Sequence, residues 1–85
     1  MGTLLAVDLG LKLGMAAFSS EGRLLWHRSH NMGSRERLRR GAYHLVKECE
    51  HLTTIVLEGD RTLGGWFARE AKRYGAEVVW VAPER

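Results

Sequence analysis

Two acids stand where charge is costly. Asp8 interrupts an otherwise apolar run over residues 3–9, which ends at Gly10. A carboxylate on such a strand must be paired, solvated in a crevice or bound to a cation. Glu58 holds the matching position at the end of the β-branched run over residues 53–57. If the two strands are adjacent and parallel, both acids meet at the carboxyl edge of a sheet, where open α/β sheets place ligands. Converging oxygen donors suit Mg²⁺ or Mn²⁺, which combine carboxylates with waters and substrate phosphates. Such ions activate water and stabilise a phosphodiester leaving group. Plainer roles stand beside this one: Asp8 as a strand-end acid capping a turn, and Glu58 neutralised by Arg61. Asp60 shares the face of Glu58 only if the strand reaches it; a turn at Glu58-Gly59-Asp60 leaves it exposed.

The elements that must position these acids follow from the pattern of apolar residues. Residues 3–9 read as a strand buried on both faces. Residues 11–14 turn the chain, residues 15–18 form a second strand, and Ser19-Ser20-Glu21-Gly22 has the composition of a hairpin loop. A third strand over residues 23–29 completes an antiparallel meander. Ser34 is a suitable N-cap for a helix over residues 35–50. There Leu38, Ala42, Leu45, Val46 and Cys49 draw one apolar stripe at offsets of roughly 0, 4, 7, 8 and 11. Residues 53–57 form a strand, residues 63–74 a second helix with Phe67, Ala71 and Tyr74 in register and Gly75 as C-cap, and residues 77–82 a last strand. This order should set the first strand beside the fourth, with right-handed crossovers and helices over the faces of the sheet.

Residues 1–85 are expected to form one domain, since so short a chain has room for a single core. Hydrophobic residues make up 45% of the chain, enough to pack that core and too many for a disordered tail. No apolar run reaches the roughly 18 residues that a membrane span needs. Residues 1–5 carry no leader-like pattern, and one cysteine permits no internal disulfide, so the cytoplasm is the expected compartment. The net charge is +3, arginine far outnumbers lysine, and Arg35, Arg37, Arg39 and Arg40 crowd into six positions. Such a cluster binds phosphate or is simply the solvated face of a helix. The four histidines lack zinc-ligand spacing. Trp26, Trp66 and Trp80 read as packing residues before they read as base-stacking platforms. Cys49 falls on the apolar stripe and reads as a buried, inert thiol.

Leu4-Leu5-Ala6-Val7-Asp8-Leu9-Gly10 followed by Gly14-Met15-Ala16-Ala17-Phe18 resembles the opening hairpin of RuvC-like Holliday-junction resolvases, members of the ribonuclease H-like superfamily. In that family the aspartate of the D-x-G motif is a metal ligand, and Asp8 matches it. Ile55-Val56-Leu57-Glu58 resembles the family's fourth strand, which ends in a second acidic ligand. The likeness extends over nearly the whole chain as an element order, and it implies an α/β, ribonuclease H-like fold with a five-stranded mixed sheet in the order β-β-β-α-β-α-β. Those nucleases carry further acids on a helix after the fifth strand, whereas this sequence ends at Glu84-Arg85; Asp60, Glu84 or a second subunit is expected to supply the missing ligand. The opening also resembles the first phosphate loop of sugar kinases and actin-like ATPases, with Asp8, Gly10 and Gly14 in the D-x-G-x-x-x-G spacing. Their second phosphate loop and adenosine-binding segment have no counterpart in these residues.

The resemblance implies a Mg²⁺- or Mn²⁺-dependent endonuclease acting on branched or structured nucleic acid. Asp8, Glu58 and Asp60 would be its metal ligands, and Arg35, Arg37, Arg39 and Arg40 its phosphate contacts. The alternative is a module that keeps the fold, has lost the chemistry, and binds nucleic acid or protein. A sheet face left uncovered near Trp80 would be buried against another copy, so a homodimer is expected. A purely structural homo-oligomer with incidental charge is the third possibility.

Overall fold

The computed structural model describes residues 2–10 and 12–81. Five strands and two helices follow one another as β1 (Thr3–Leu9), β2 (Lys12–Ser19), β3 (Leu24–Asn31), α1 (Arg35–Glu48), β4 (Leu52–Gly59), α2 (Arg61–Arg73) and β5 (Glu77–Val81). The strands form one mixed sheet in the spatial order β3-β2-β1-β4-β5. β1 is thus central, antiparallel to β2 and parallel to β4, as the element order requires. The fold is α/β, and among the described residues no helix is long and apolar enough to cross a membrane.

The two faces of the sheet are treated differently. Leu5, Val7 and Leu9 of β1, Leu13, Met15 and Ala17 of β2, and Ile55 and Leu57 of β4 are buried. The register places Leu5 beside Ala17 and Ile55, and Val7 beside Met15 and Leu57, so these side chains share one face. Leu38, Ala42 and Val46 of α1 and Leu63, Phe67 and Ala71 of α2 complete the same core. Both helices therefore lie on one side, packed against each other as well as the sheet. Residues that alternate with the core, such as Leu4, Ala6 and Asp8, point the other way and are half-buried or exposed.

Several expectations change accordingly. β1 is covered on one face, not two, because Ala6 and Asp8 face a side that no described helix covers. The uncovered face does reach the strand that carries Trp80, but through the neighbours of that residue. Trp80 turns toward α2, where a Cβ added to Gly64 would stand 2.5 Å from its ring, and it is Val79 and Val81 that look outward, 37% and 42% exposed. β2 begins at Lys12 and not at Met15: Leu13 continues the inward alternation of Met15 and Ala17. The glycine content that reads as a turn belongs in part to the strand, since Gly14 is paired with Asp8.

Local chemistry closes the elements. The Ser19 hydroxyl accepts from the amides of Glu21 and Arg23 at 3.3 and 3.1 Å, and Gly22 turns the β2–β3 hairpin at φ 81°. Ser34 caps α1 by accepting from the Arg37 amide at 3.2 Å. α1 stops at Glu48, and Cys49 takes the C-cap. α2 ends in a Schellman arrangement: the Gly75 amide donates to Lys72 and the Ala76 amide to Ala71, with Gly75 at φ 76°. The expected end of the last strand at Ala82 and the stand-in acid Glu84 lie outside the described residues.

Candidate functional site

Asp8 and Glu58 are direct neighbours. Their Cα atoms are register partners on the parallel pair β1–β4, and adjacent strands run about 4.8 Å apart. Paired residues project from the same side of a sheet, here the side away from the helices. Both acids line an open cleft of about 470 Å³, walled by the small residues Ala6, Gly14, Ala16 and Val56. Gly14, opposite Asp8 on β2, contributes no side chain; a Cβ there would come within 3.8 Å of the Asp8 Cβ. Small residues on three strands thus leave space directly over the two carboxylates.

A backbone feature keeps the pair in register. Gly59 follows Glu58 with φ 113°, and a Cβ at Gly59 would lie 2.6 Å from the Leu9 carbonyl oxygen. Only glycine combines that backbone conformation with so close an approach. The ends of β1 and β4 can therefore stay side by side up to the edge where the acids stand.

Asp8 is exposed and Glu58 half-buried, and among the described residues neither takes part in an ion pair or a side-chain hydrogen bond. The plain role for Glu58, neutralisation by Arg61, is not what the structure has: the Arg61 guanidinium stacks 4.5 Å over the Trp80 ring. Like charges on paired strand positions are unfavourable to each other, and a cation bound at such a pair would offset that. The two acids lining the cleft offer carboxylate oxygens, the donor type that hard divalent ions such as Mg²⁺ or Mn²⁺ prefer.

Asp60 goes elsewhere. It is the N-cap of α2, and its Oδ1 accepts from the amides of Thr62 and Leu63 at 2.8 and 3.0 Å. It does not line the cleft. Among the described residues no group of three or more acidic, histidine or cysteine side chains is placed to hold a metal.

The arginines divide. β3 runs parallel to β1, so α1, which follows it after a short loop, begins at the carboxyl edge where Asp8 and Glu58 stand. Arg35 and Arg37 fall in its first turns near that edge. Arg40 pairs with Glu36 at 3.6 Å on the outer surface. Arg39 points along the flank toward α2 and lines a groove with Arg69 and Arg73. In the sequence, Arg69 and Arg73 are signalled by their four-residue spacing on a helix. Trp26, Trp66 and Trp80 pack against the core, as their size favours. Cys49 is buried, and burial raises its thiol above the ordinary range, which leaves little reactive thiolate.

Comparison with known protein families and with curated proteins gives no match for this sequence.

Proposed function

We propose that this chain is a ribonuclease H-like, RuvC-related endonuclease that cuts branched or structured nucleic acid with Mg²⁺ or Mn²⁺. The observation that carries the reading is the register pairing of Asp8 with Glu58 over an open cleft at the carboxyl edge of the sheet. The element order and the central, parallel β1–β4 pair support it.

In this reading Asp8 and Glu58 would hold the ion through their carboxylate oxygens. Such an ion, when bound, would supply Lewis-acid chemistry for phosphodiester hydrolysis. The chain's own contribution is placement. The β1–β4 register fixes the spacing of the carboxylates, Gly14 and the two alanines leave room for a phosphodiester, and Arg35 and Arg37 hold a strand crossing the same edge. Asp60 serves as the cap of α2, so a further ligand, where one is used, is a group other than Asp60.

Cleavage of a labelled four-way junction in Mn²⁺ tests this. Asp8→Asn should lower the rate by about 100-fold or more, the scale on which lost transition-state electrostatics act, while leaving the melting temperature nearly unchanged because Asp8 is exposed. Undiminished cleavage by the variant would remove Asp8 from the chemistry. The second reading, a binding module without catalysis, is favoured by one observation: only two carboxylates face the cleft among the described residues. It expects junction binding that is indifferent to the metal and to Asp8→Asn.

A further inference from the structure

The helical side of the molecule carries a second charged feature that the carboxylate site does not use. α1 and α2 lie side by side, and Arg39 from α1 converges with Arg69 and Arg73 from α2 on a groove of about 220 Å³. Glu70 sits between the helices with its side chain 12% exposed, and its Oε2 lies 3.7 Å from the Arg73 Nε. Its Oε1 is buried without a hydrogen-bond partner. One carboxylate therefore faces three guanidinium groups. Among the described residues neither Arg39 nor Arg69 has an acidic partner.

Like charges drawn together from two helices repel, and Glu70 is one acid set against three arginines among the described residues that line the groove. A ligand carrying several negative charges in a row would offset the excess. Guanidinium groups grip phosphate oxygens through paired N–H donors, which an ammonium cannot do. Tyr43, 39% exposed, and the half-buried Trp66 line the same groove beside the arginines.

We propose that the α1–α2 groove is a second nucleic-acid contact, which grips the sugar-phosphate backbone on the side of the sheet opposite Asp8 and Glu58. The proposal rests on the reading of the chain as a nucleic-acid enzyme and adds a substrate preference to it. The shortest principal extent of the molecule is 19 Å, close to the width of a duplex. A straight duplex lying along one side cannot also touch the other. A branched molecule whose arms diverge at the carboxyl edge can lay one arm over the cleft and another against the helices. The preference for branched substrates then arises from two contacts on opposite sides and not from the cleft alone.

The test is fluorescence anisotropy with a labelled four-way junction and a linear duplex of the same sequence, in EDTA, over a series of KCl concentrations. Arg39→Gln with Arg69→Gln should weaken junction binding roughly tenfold at moderate salt. It should also reduce the slope of log affinity against log salt by about 2, one phosphate contact for each arginine removed. The linear duplex should lose less. Arg39→Lys with Arg69→Lys keeps the charges and should restore most of the salt slope; a merely structural role for the two arginines would not be rescued in this way. Unchanged junction affinity and slope in the glutamine variant would overturn the proposal, as would wild-type protein that binds no junction in EDTA. An acidic polyglutamate peptide that binds the arginines without being displaced by the junction would assign the groove to a protein partner instead. Binding in EDTA reads the groove, whereas loss of Mn²⁺-dependent cleavage in Asp8→Asn reads the carboxylate pair, so the two ideas fail separately.

Discussion

The two faces of one sheet have been built to opposite ends. On the helical face every strand contributes large or tightly fitted side chains, and Phe67, Leu5, Leu13, Leu38, Ile55 and Leu57 are fully buried. On the open face the same strands set Ala6, Gly14, Ala16 and Val56 around Asp8 and Glu58, and the surface there stays accessible. The first arrangement holds the fold together. The second gives up burial to keep a cleft over paired carboxylates. A strand with a period of two can serve both ends at once, because neighbouring residues answer to different requirements.

The sharpest way to break this division is to damage the helical face. Phe67 is fully buried in α2, at the centre of the contact between helix and sheet. Phe67→Ala should cost about 3–5 kcal/mol, the usual range for emptying such a site. A domain of this size holds only about 5–15 kcal/mol in total, so the variant should melt far below the wild type in calorimetry or be unfolded at room temperature. A shift of only a few degrees would mean that the helical layer is not the principal source of stability.

Asp60 tests the boundary between structure and chemistry. Its carboxylate satisfies two amides at the start of α2, and Asp60→Ala should cost about 1 kcal/mol through the lost cap. In a chain of this length that is a fall of roughly 4–8 °C in melting temperature. Mn²⁺ affinity, followed by electron paramagnetic resonance, should hold. A marked fall in that affinity would return Asp60 to the ligand set and weaken the contrast drawn between a capping acid and a binding pair.

Much of the scaffold for this contrast is legible in the sequence. Asp8 and Glu58 are visible because acids at the ends of apolar strands are conspicuous, and the element order brings those strands together. Ser34 announces α1 by its type, and Gly75 ends α2 for the same reason. What the sequence hides is which face the helices choose. Leu4, Ala6 and Val56 are as apolar as the buried residues beside them, so alternation cannot separate a covered face from one that is merely small and uncharged. Asp60 is ambiguous in the sequence because apolar periodicity starts the second helix at Leu63; with the helix beginning at Arg61, the Asp-Arg-Thr-Leu order is that of a capped helix. The arginine cluster is compact in sequence but spreads in space. Along a helix turning about 100° per residue, four positions within six residues point in several directions, and only Arg39 meets Arg69 and Arg73.

The smallest expected effect falls on the open face, and it bears on assembly. Val79 is 37% exposed and packs against neither helix. Val79→Thr keeps the β-branched shape and the strand preference, and it should change stability by less than about 0.5 kcal/mol, as exposed substitutions usually do. The melting temperature should also be independent of protein concentration. A homodimer closed over this face is the competing proposal and makes the opposite forecast. Burying Val79 and Val81 against a second copy would make the threonine hydroxyl costly, and mass action would raise the melting temperature with concentration. Such a contact would also shade the cleft that Asp8 and Glu58 line. A concentration-dependent melt that Val79→Thr abolishes would therefore place a second copy where the nucleic acid is proposed to lie. A concentration-independent one leaves the open face to substrate.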